Sequence, residues 1–215
     1  MEVERLPRGR HGLSREYVAQ NQRERVLAAL AECLYERGFA ATTISMISRQ
    51  AGVSKGDFYK QFESKDACFL EAYDDAVAQF YKGTVAACDG ANEWAAGVVV
   101  ALATLLDLLA QRPAQARLVL VEGLRVGKGV YDRYQEALLA FVPYLRAGAP
   151  APPGVVSPPA ATDEAVIGGI ASLLSRRVAA GGIEQLPDFL PEVAEFALAP
   201  YVGAAEARRI ISASL

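Results

Sequence analysis

The segment Thr43–Phe62, TISMISRQAGVSKGDFYKQF, constrains the fold of this chain more than any other feature. It begins with Thr43, a favoured N-cap residue, followed by two isoleucines three positions apart on one face of a short helix. Gly52 ends that helix, because glycine adopts the left-handed backbone of a C-terminal cap. Ser54 begins a second short helix, and Asp57 three residues later completes a capping-box pattern. Two short helices joined by a glycine-containing turn predict a helix-turn-helix motif.

Longer helices are predicted on both sides of this motif. Apolar residues recur at spacings of three and four from Gln22 to Gly38, and again after Ser64, a natural N-cap. Phe58 and Phe62 lie four residues apart and share the inward face of the second short helix. We therefore expect a three-helix N-terminal domain followed by the start of a fourth helix.

The rest of the chain shows no strand-like alternation of polar and apolar residues. Helical periodicity predicts helices over 92–111, 113–127, 129–146, 162–180 and 188–212. The proline-rich stretch 147–160 cannot sustain a helix and predicts a surface loop. The fold class is therefore all-α, with an N-terminal helix-turn-helix domain and a larger C-terminal helical domain.

The charges of the chain are unevenly distributed. Residues 1–65 hold 11 Lys and Arg against 8 Asp and Glu, whereas residues 66–215 hold 11 against 17. A basic front favours contact with a polyanion, although an ordinary surface gives the same modest excess. The arginine-, glycine- and proline-rich start predicts a flexible basic arm over residues 1–21, either a frayed tail or a segment that follows DNA phosphates or the minor groove.

Residue types needed for catalysis and metal binding are scarce. The single histidine, His11, lies in the predicted arm, where it suits neither a zinc site nor a catalytic triad. The three cysteines (Cys33, Cys68 and Cys88) are widely spaced and indicate small buried side chains. We expect no enzyme activity, cofactor or metal. The N-terminus lacks the apolar stretch of a signal peptide, and the apolar run 95–106 is shorter than a membrane span, which favours a cytoplasmic protein without membrane contact.

The run GFAATTISMISRQAGVSKGDFYKQFESKDACF resembles the DNA-binding domain of the TetR family of bacterial repressors. The features that carry the resemblance are Gly38–Phe39, Thr43, Ala51–Gly52–Val53–Ser54, Tyr59, Phe62 and Ser64–Lys65. The resemblance covers about residues 22–81. It implies that residues 22–81 form the DNA-binding domain and that residues 82–215 form a helical domain for effector binding and dimerisation.

The resemblance further implies a ligand-responsive homodimeric repressor that binds a palindromic operator. Its small-molecule effector is expected to be largely apolar. An activator of the same fold, or a regulator controlled by a protein partner, is the alternative interpretation.

The resemblance also implies which residues face DNA. Tyr59 and Lys65 would contact phosphate, unless they are ordinary surface residues of a motif used for protein contact. The full expected set is Thr43, Ser54, Lys55, Gly56, Asp57, Tyr59, Lys60 and Lys65. Asp57 departs from the small residue that is common in the family. Since phosphates repel a carboxylate, we expect Asp57 either to cap its own helix or to accept a hydrogen bond from a cytosine amino group.

The C-terminal domain gives weaker signals. An effector pocket needs apolar walls with a few polar groups, and the candidates are Trp94, Glu122, Arg125, Tyr131, Tyr134, Phe141 and Tyr144. Most aromatic residues of a helical domain belong to its core, and Glu122 and Arg125 could equally form a surface pair. Small residues and neighbouring apolar ones suggest a dimer interface of Ala165, Gly168, Gly169, Ser172, Phe189, Val193 and Phe196, unless the glycines serve packing within one subunit.

Overall fold

The computed structural model describes residues 14–88, 93–123, 126, 128–147, 149 and 158–214. Its helices are α1 (Arg15–Ala41), α2 (Ile44–Ala51), α3 (Lys55–Tyr59), α4 (Lys65–Cys88), α5 (Trp94–Gln111), α6 (Pro113–Arg117), α7 (Lys128–Leu139), α8 (Val142–Ala147), α9 (Ala160–Ala179), α10 (Leu190–Val202) and α11 (Ala204–Ser214). A π-helical turn, Leu118–Glu122, follows α6, and a 3₁₀ turn, Pro187–Phe189, precedes α10. No strand occurs in these ranges, and the predicted all-α class is confirmed.

The chain divides into two compact units, one ending at Asp75 and the other beginning at Ala76. The sequence predicts the end of the N-terminal domain after residue 81, whereas the compact unit ends at Asp75. The division falls inside α4. Most of the proline-rich loop predicted over 147–160 lies outside the described residues.

The first helix begins earlier than its apolar pattern indicated. The Ser14 hydroxyl accepts a hydrogen bond from the Tyr17 amide (3.1 Å) and caps a helix that starts at Arg15. Residues 15–21 are therefore helical rather than part of a flexible arm, because a good N-cap extends a helix through polar residues that bury nothing. The backbone leaves the helical conformation at Gly38 (φ +74°), where glycine was expected to end the helix. Residues 1–13 of the predicted arm, with His11, lie outside the described residues.

The N-terminal unit packs around the side chains that carry the helical periodicity. Its largest fully buried side chains are Val26, Leu30, Leu34, Ile47, Phe58, Phe69 and Tyr73. These residues come from all four helices of the unit, so α2 and α3 are held against the longer helices by apolar burial. The outward faces of α2 and α3 are thereby fixed.

Three predicted helices of the C-terminal unit are interrupted. The expected helix 113–127 becomes α6 and the wider π-helical turn. The expected helix 129–146 stops at Leu139 because Pro143 has no amide donor and its ring excludes the carbonyl of residue 139 from a continuous helix. The expected helix 188–212 ends at Val202, where Gly203 adopts a positive φ of 82°.

Helix α5 is the most apolar helix of the C-terminal unit, and it packs against α10 and α11. Among the described residues it is the one helix whose length and composition would allow it to cross a membrane, with a mean hydropathy of 1.8 over 18 residues. This is weak evidence for a membrane span, because core helices of globular domains pass the same test.

Candidate nucleic-acid interface

Helix α2 is capped at both ends by residues predicted from the sequence. The Thr43 hydroxyl accepts a hydrogen bond from the Met46 amide (3.3 Å) at its start. At its end Gly52 adopts the left-handed conformation (φ +65°), and the next residue, Val53, donates its amide to the Ser48 carbonyl (2.9 Å). These bonds satisfy groups that a helix end leaves unpaired. The turn between α2 and α3 is therefore closely defined.

Helix α3 is short and is anchored by one aromatic side chain. Phe58 is fully buried, and its ring centroid lies 5.4 Å from that of Phe62, which follows the helix. With Phe58 inward, Lys55, Gly56 and Tyr59 are exposed, and Tyr59 exposes 56% of its surface. Lys60 follows α3 with 76% of its side chain exposed. The residues of α3 that are expected to contact DNA thus lie on one accessible face.

The Asp57 carboxylate is held within its own helix turn. Its Oδ2 accepts a hydrogen bond from the Ser54 hydroxyl (2.7 Å), while the Asp57 amide donates to the same hydroxyl oxygen (3.0 Å). Its Oδ1 accepts a hydrogen bond from Lys60 Nζ (2.7 Å). The bond from Lys60, followed by that from Ser54, lowers the pKa of Asp57 below its usual value. The structure thus shows Asp57 capping its own helix, while a contact with a cytosine amino group stays a prediction.

Lys65 is positioned differently from the expectation. Its Nζ donates to the carbonyl oxygens of Phe39 (2.7 Å) and Thr42 (2.9 Å) and lies 3.9 Å from the centroid of the Phe39 ring. The ammonium closes the turn between α1 and α2. A direct phosphate contact was expected, but the side chain is half-buried and already occupied by acceptors within its own unit.

Two arginines of α1 contribute contacts that the sequence did not indicate. Arg25 donates to the carbonyl oxygens of Ala51, through a short bond, and of Gly52 (3.2 Å), at the C-terminal end of α2. A cation is favourable there, since helix carbonyls place partial negative charge at that end. The periodicity that marks apolar faces gives no sign of which arginine turns inward.

Arg23 plays a similar part at the end of α3. Its guanidinium forms an ion pair with Glu71, donates to the Gln61 carbonyl oxygen (3.2 Å) and lies 4.7 Å from the Phe62 ring centroid. Some of the positively charged side chains of the N-terminal domain thus bind groups within the domain itself. Net charge alone therefore overstates the cations available to DNA.

The N-terminal unit matches a known family in sequence. The family model described as "Bacterial regulatory proteins, tetR family" matches residues 26–72, the span that contains the capped α2–α3 motif. Over residues 26–72 the chain is therefore similar to the DNA-binding region of the TetR family.

Two relatives match part of the chain. An uncharacterized HTH-type transcriptional regulator, YerO of Bacillus subtilis, is 43% identical over 51 residues, 24% of this chain and 18% of the relative. A second uncharacterized HTH-type regulator, from Lactococcus lactis, is 32% identical over 66 residues, 31% of this chain and 34% of the relative. The chain therefore spans about a fifth and about a third of the length of these two relatives.

Solved structures show the same fold over most of the chain. FadR of Bacillus halodurans is 15% identical with a TM-score of 0.73, covering 82% of this chain and 94% of that one. FadR of Bacillus subtilis, solved with stearoyl-CoA, is 17% identical with a TM-score of 0.70, covering 84% and 98%. A TetR-like regulator from Rhodococcus is 20% identical with a TM-score of 0.62, covering 91% and 99%. The C-terminal unit therefore also has a TetR-type fold.

The residues expected to line an effector pocket take part in several local contacts. Trp94 Nε1 donates to the Leu145 carbonyl oxygen (3.0 Å), and its ring meets that of Tyr201 edge-on (5.3 Å). Phe141 and Tyr144 instead pack against Tyr81, with centroid distances of 5.1 and 6.1 Å.

The remaining pocket candidates differ in exposure. Glu122 is buried with its Oε1 3.7 Å from Arg117 Nε, Tyr134 is buried, and Tyr131 exposes 51% of its surface. Arg125 lies outside the described residues. Their role in effector binding stays a prediction.

A half-open groove of about 330 Å³ lies between α7, α8 and α9. It is lined by Gln135, Leu138, Leu139, Val142, Ala161, Glu164, Ala165, Ile167 and Gly168. Its walls combine apolar side chains with the polar side chains of Gln135 and Glu164, and the sequence had suggested Ala165 and Gly168 for the dimer interface. The sequence pattern could not reveal this groove, because its walls come from three helices.

The expected dimer residues separate into an inner and an outer set. Phe189 and Val193 lie in the core of their own unit and are withdrawn from the predicted interface. A Cβ atom on Gly169 would lie 2.7 Å from Cζ of Phe196, so this glycine serves close packing of α9 on α10 within the subunit. Gly168 has no neighbour within 4 Å of such a Cβ atom. Gly168 remains available to a partner, together with exposed Ala165 and Ser172 and the partly exposed Phe196.

Proposed function

We propose that this protein is a transcription regulator that binds double-stranded DNA through α2 and α3. The observation that carries the proposal is the outward face formed by Lys55, Gly56, Tyr59 and Lys60 on a helix turn anchored by buried Phe58. Gly56 adds no side chain to this face, which allows close approach of a duplex. The lysines supply charge for phosphates or guanine edges.

A homodimer that recognises a palindromic operator is the proposed assembly. The small residues Ala165 and Ser172, which are exposed, and Gly168, which is half-buried, lie at helical spacing on α9, where they permit two helices to approach closely. Partly exposed Phe196 on α10 adds apolar surface. Two helix-turn-helix heads would then read half-sites about one helical turn apart.

The proposed effector is a largely apolar small molecule that binds the C-terminal unit and releases DNA, as in a repressor. The structural neighbour FadR of Bacillus subtilis was solved with stearoyl-CoA, and the groove between α7, α8 and α9 offers leucine, valine and isoleucine side chains beside the polar Gln135 and Glu164. An effector can shift DNA affinity only by the difference between its affinities for two conformations of the dimer. We place the protein in the cytoplasm and assign it binding rather than catalysis.

The test begins with selection of bound fragments from total genomic DNA by the purified full chain. An enriched sequence with two inverted half-sites, bound by a species of dimer mass, is the expected result. Addition of long-chain acyl-CoA or other apolar compounds should then release the DNA. A monomer that binds no duplex even at low salt would overturn the proposal.

A further inference from the structure

The outward face of α3 carries one carboxylate among its lysines. Asp57 exposes a third of its side chain and is fixed by two hydrogen bonds, from the Ser54 hydroxyl to Oδ2 and from Lys60 Nζ to Oδ1, each 2.7 Å long. A carboxylate has about four acceptor sites. Besides these two bonds the Ser54 amide also donates to the carboxylate, which leaves one site for a further donor. The side chain is therefore both oriented and able to accept a further hydrogen bond.

A fixed anion in this place affects different DNA sequences differently. It repels phosphates, and it holds the ammonium of Lys60 in a pair instead of leaving it free for the DNA backbone. It also repels guanine O6 and N7 and thymine O4, which are acceptors. Cytosine presents an amino group as its hydrogen-bonding group in the major groove, whereas the adenine amino group adjoins the N7 acceptor. Cytosine is therefore the base that best matches the free acceptor site.

We propose that Asp57 is a specificity-determining residue that selects operators with a cytosine opposite its carboxylate and weakens binding to all other DNA. This inference rests on the proposed function. Lys60 acts through the same pair, because its ammonium neutralises and orients the carboxylate while the carboxylate keeps it from non-specific phosphate contacts.

The test compares the full chain with its Asp57→Asn variant. Asparagine keeps the shape of the side chain and an oxygen that can accept from Ser54, but it removes the charge and releases Lys60. Affinity is measured for the selected operator, for every single-base-pair variant of it, and for a random duplex of equal length, each at several salt concentrations. Thermal unfolding of both proteins establishes that the variant is folded.

We expect the variant to lose at least about fivefold of its preference for cytosine at one position of each half-site. It should also bind the random duplex more tightly, with a salt dependence steeper by up to about 0.9 as Lys60 gains a phosphate. Glu63→Gln is the matched control, since it removes an exposed carboxylate just beyond α3. That control should leave base preference unchanged.

Two results would overturn the inference. One is an Asp57→Asn variant that keeps the base preferences of the original protein. The other is a Glu63→Gln variant whose affinity for the random duplex rises as much as that of Asp57→Asn, because the loss of one negative charge would then explain the gain. Failure of the unmodified protein to bind any duplex is a separate outcome, which would overturn the proposed function together with this inference.

Discussion

Lys65 Nζ donates a 2.7 Å hydrogen bond to the Phe39 carbonyl oxygen and lies 3.9 Å from the centroid of the ring of the same residue. The ammonium of Lys65 thus contacts both the main chain and the ring of Phe39, the residue directly after Gly38. The ring of Phe39 also packs edge-on against Phe69, with centroids 5.2 Å apart. The turn before α2 is therefore held by a polar and an apolar contact together.

Replacing Lys65 with methionine should destabilise the protein and leave the salt dependence of DNA binding unchanged. The variant keeps the length of the side chain but leaves the carbonyl oxygens of Phe39 and Thr42 without their donor, which costs about 1–2 kcal/mol. The measurement is chemical unfolding of the full chain, combined with DNA titrations at several salt concentrations. Lys55→Met is the control, because exposed Lys55 should show the reverse result. A reduced salt slope with unchanged stability for Lys65→Met would restore the phosphate contact expected from the sequence.

Arg25→Met should weaken DNA binding without changing its salt dependence. Arg25 binds the Ala51 and Gly52 carbonyls and so fixes the turn that sets the direction of α3. Since its guanidinium already bonds carbonyl oxygens inside the unit, we expect it to neutralise no DNA phosphate. Its removal should therefore leave the number of counterions released on binding unchanged. We expect a several-fold loss of affinity, about 1 kcal/mol, and only partial rescue by Arg25→Lys, whose ammonium lacks the planar fork. A slope smaller by about 0.9 would instead identify Arg25 as a phosphate ligand.

Tyr59→Phe isolates the hydroxyl of an exposed residue on the proposed DNA face. The Tyr59 ring lies edge-on to buried Phe58 (5.6 Å) and keeps that support in the variant. If the hydroxyl donates to a phosphate, operator and random duplex should both lose about 0.5–1.5 kcal/mol of binding free energy. Thermal unfolding should not change, and Tyr59→Ala should weaken binding further. Unaltered affinity in both variants would remove Tyr59 from the interface.

Substitutions at the neighbouring glycines Gly168 and Gly169 of α9 test the proposed dimer interface. Gly169→Ala would bring a methyl group 2.7 Å from the Phe196 ring, and we expect it to destabilise the subunit by about 1 kcal/mol as the partly exposed ring turns aside. A Cβ atom on Gly168 would meet no described neighbour within 4 Å, so we expect a Gly168→Arg subunit to fold but fail to dimerise. Light scattering after size exclusion measures the mass. A Gly168→Arg variant that stays dimeric would exclude this face as the interface.

The sequence was sufficient to predict the local structure of the DNA-binding unit. Caps act over three or four residues, so the hydroxyls of Thr43 and Ser54 and the left-handed Gly52 followed from the residue types alone. The buried position of Phe58 followed from its spacing to Phe62. The direction of Arg25 did not, because a long charged side chain chooses among partners that only the tertiary fold brings near.

The C-terminal unit was less predictable for a physical reason. Helical periodicity identifies an apolar face but not the helix that covers it, so Trp94 and Phe141 could not be assigned to separate clusters. The same limit applies to Val193, whose apolar side chain suits an interface and a core equally well. Its complete burial assigns it to the core.

The buried carboxylate of Asp163 provides a test of the C-terminal unit that is independent of DNA. It accepts hydrogen bonds from the Tyr201 hydroxyl and from Arg146 Nε, each 2.5 Å long. Burial, followed by the hydrogen bond to Asp163 and its negative charge, raises the pKa of Tyr201 above its ordinary value.

The raised pKa gives stability a defined dependence on pH. Near and above pH 10, the ordinary pKa of tyrosine, an unfolded chain loses the phenol proton that the folded chain retains. The contribution of Tyr201 is therefore fully present below about pH 10 and declines as the pH rises beyond it. Tyr201→Phe should cost about 1–3 kcal/mol at neutral pH, because Asp163 loses a donor in the core. The difference in unfolding free energy between the two proteins should shrink between about pH 10 and 11. Other tyrosines titrate in both proteins, so this difference isolates Tyr201, and a constant difference across that range would show that its hydroxyl is not held by Asp163.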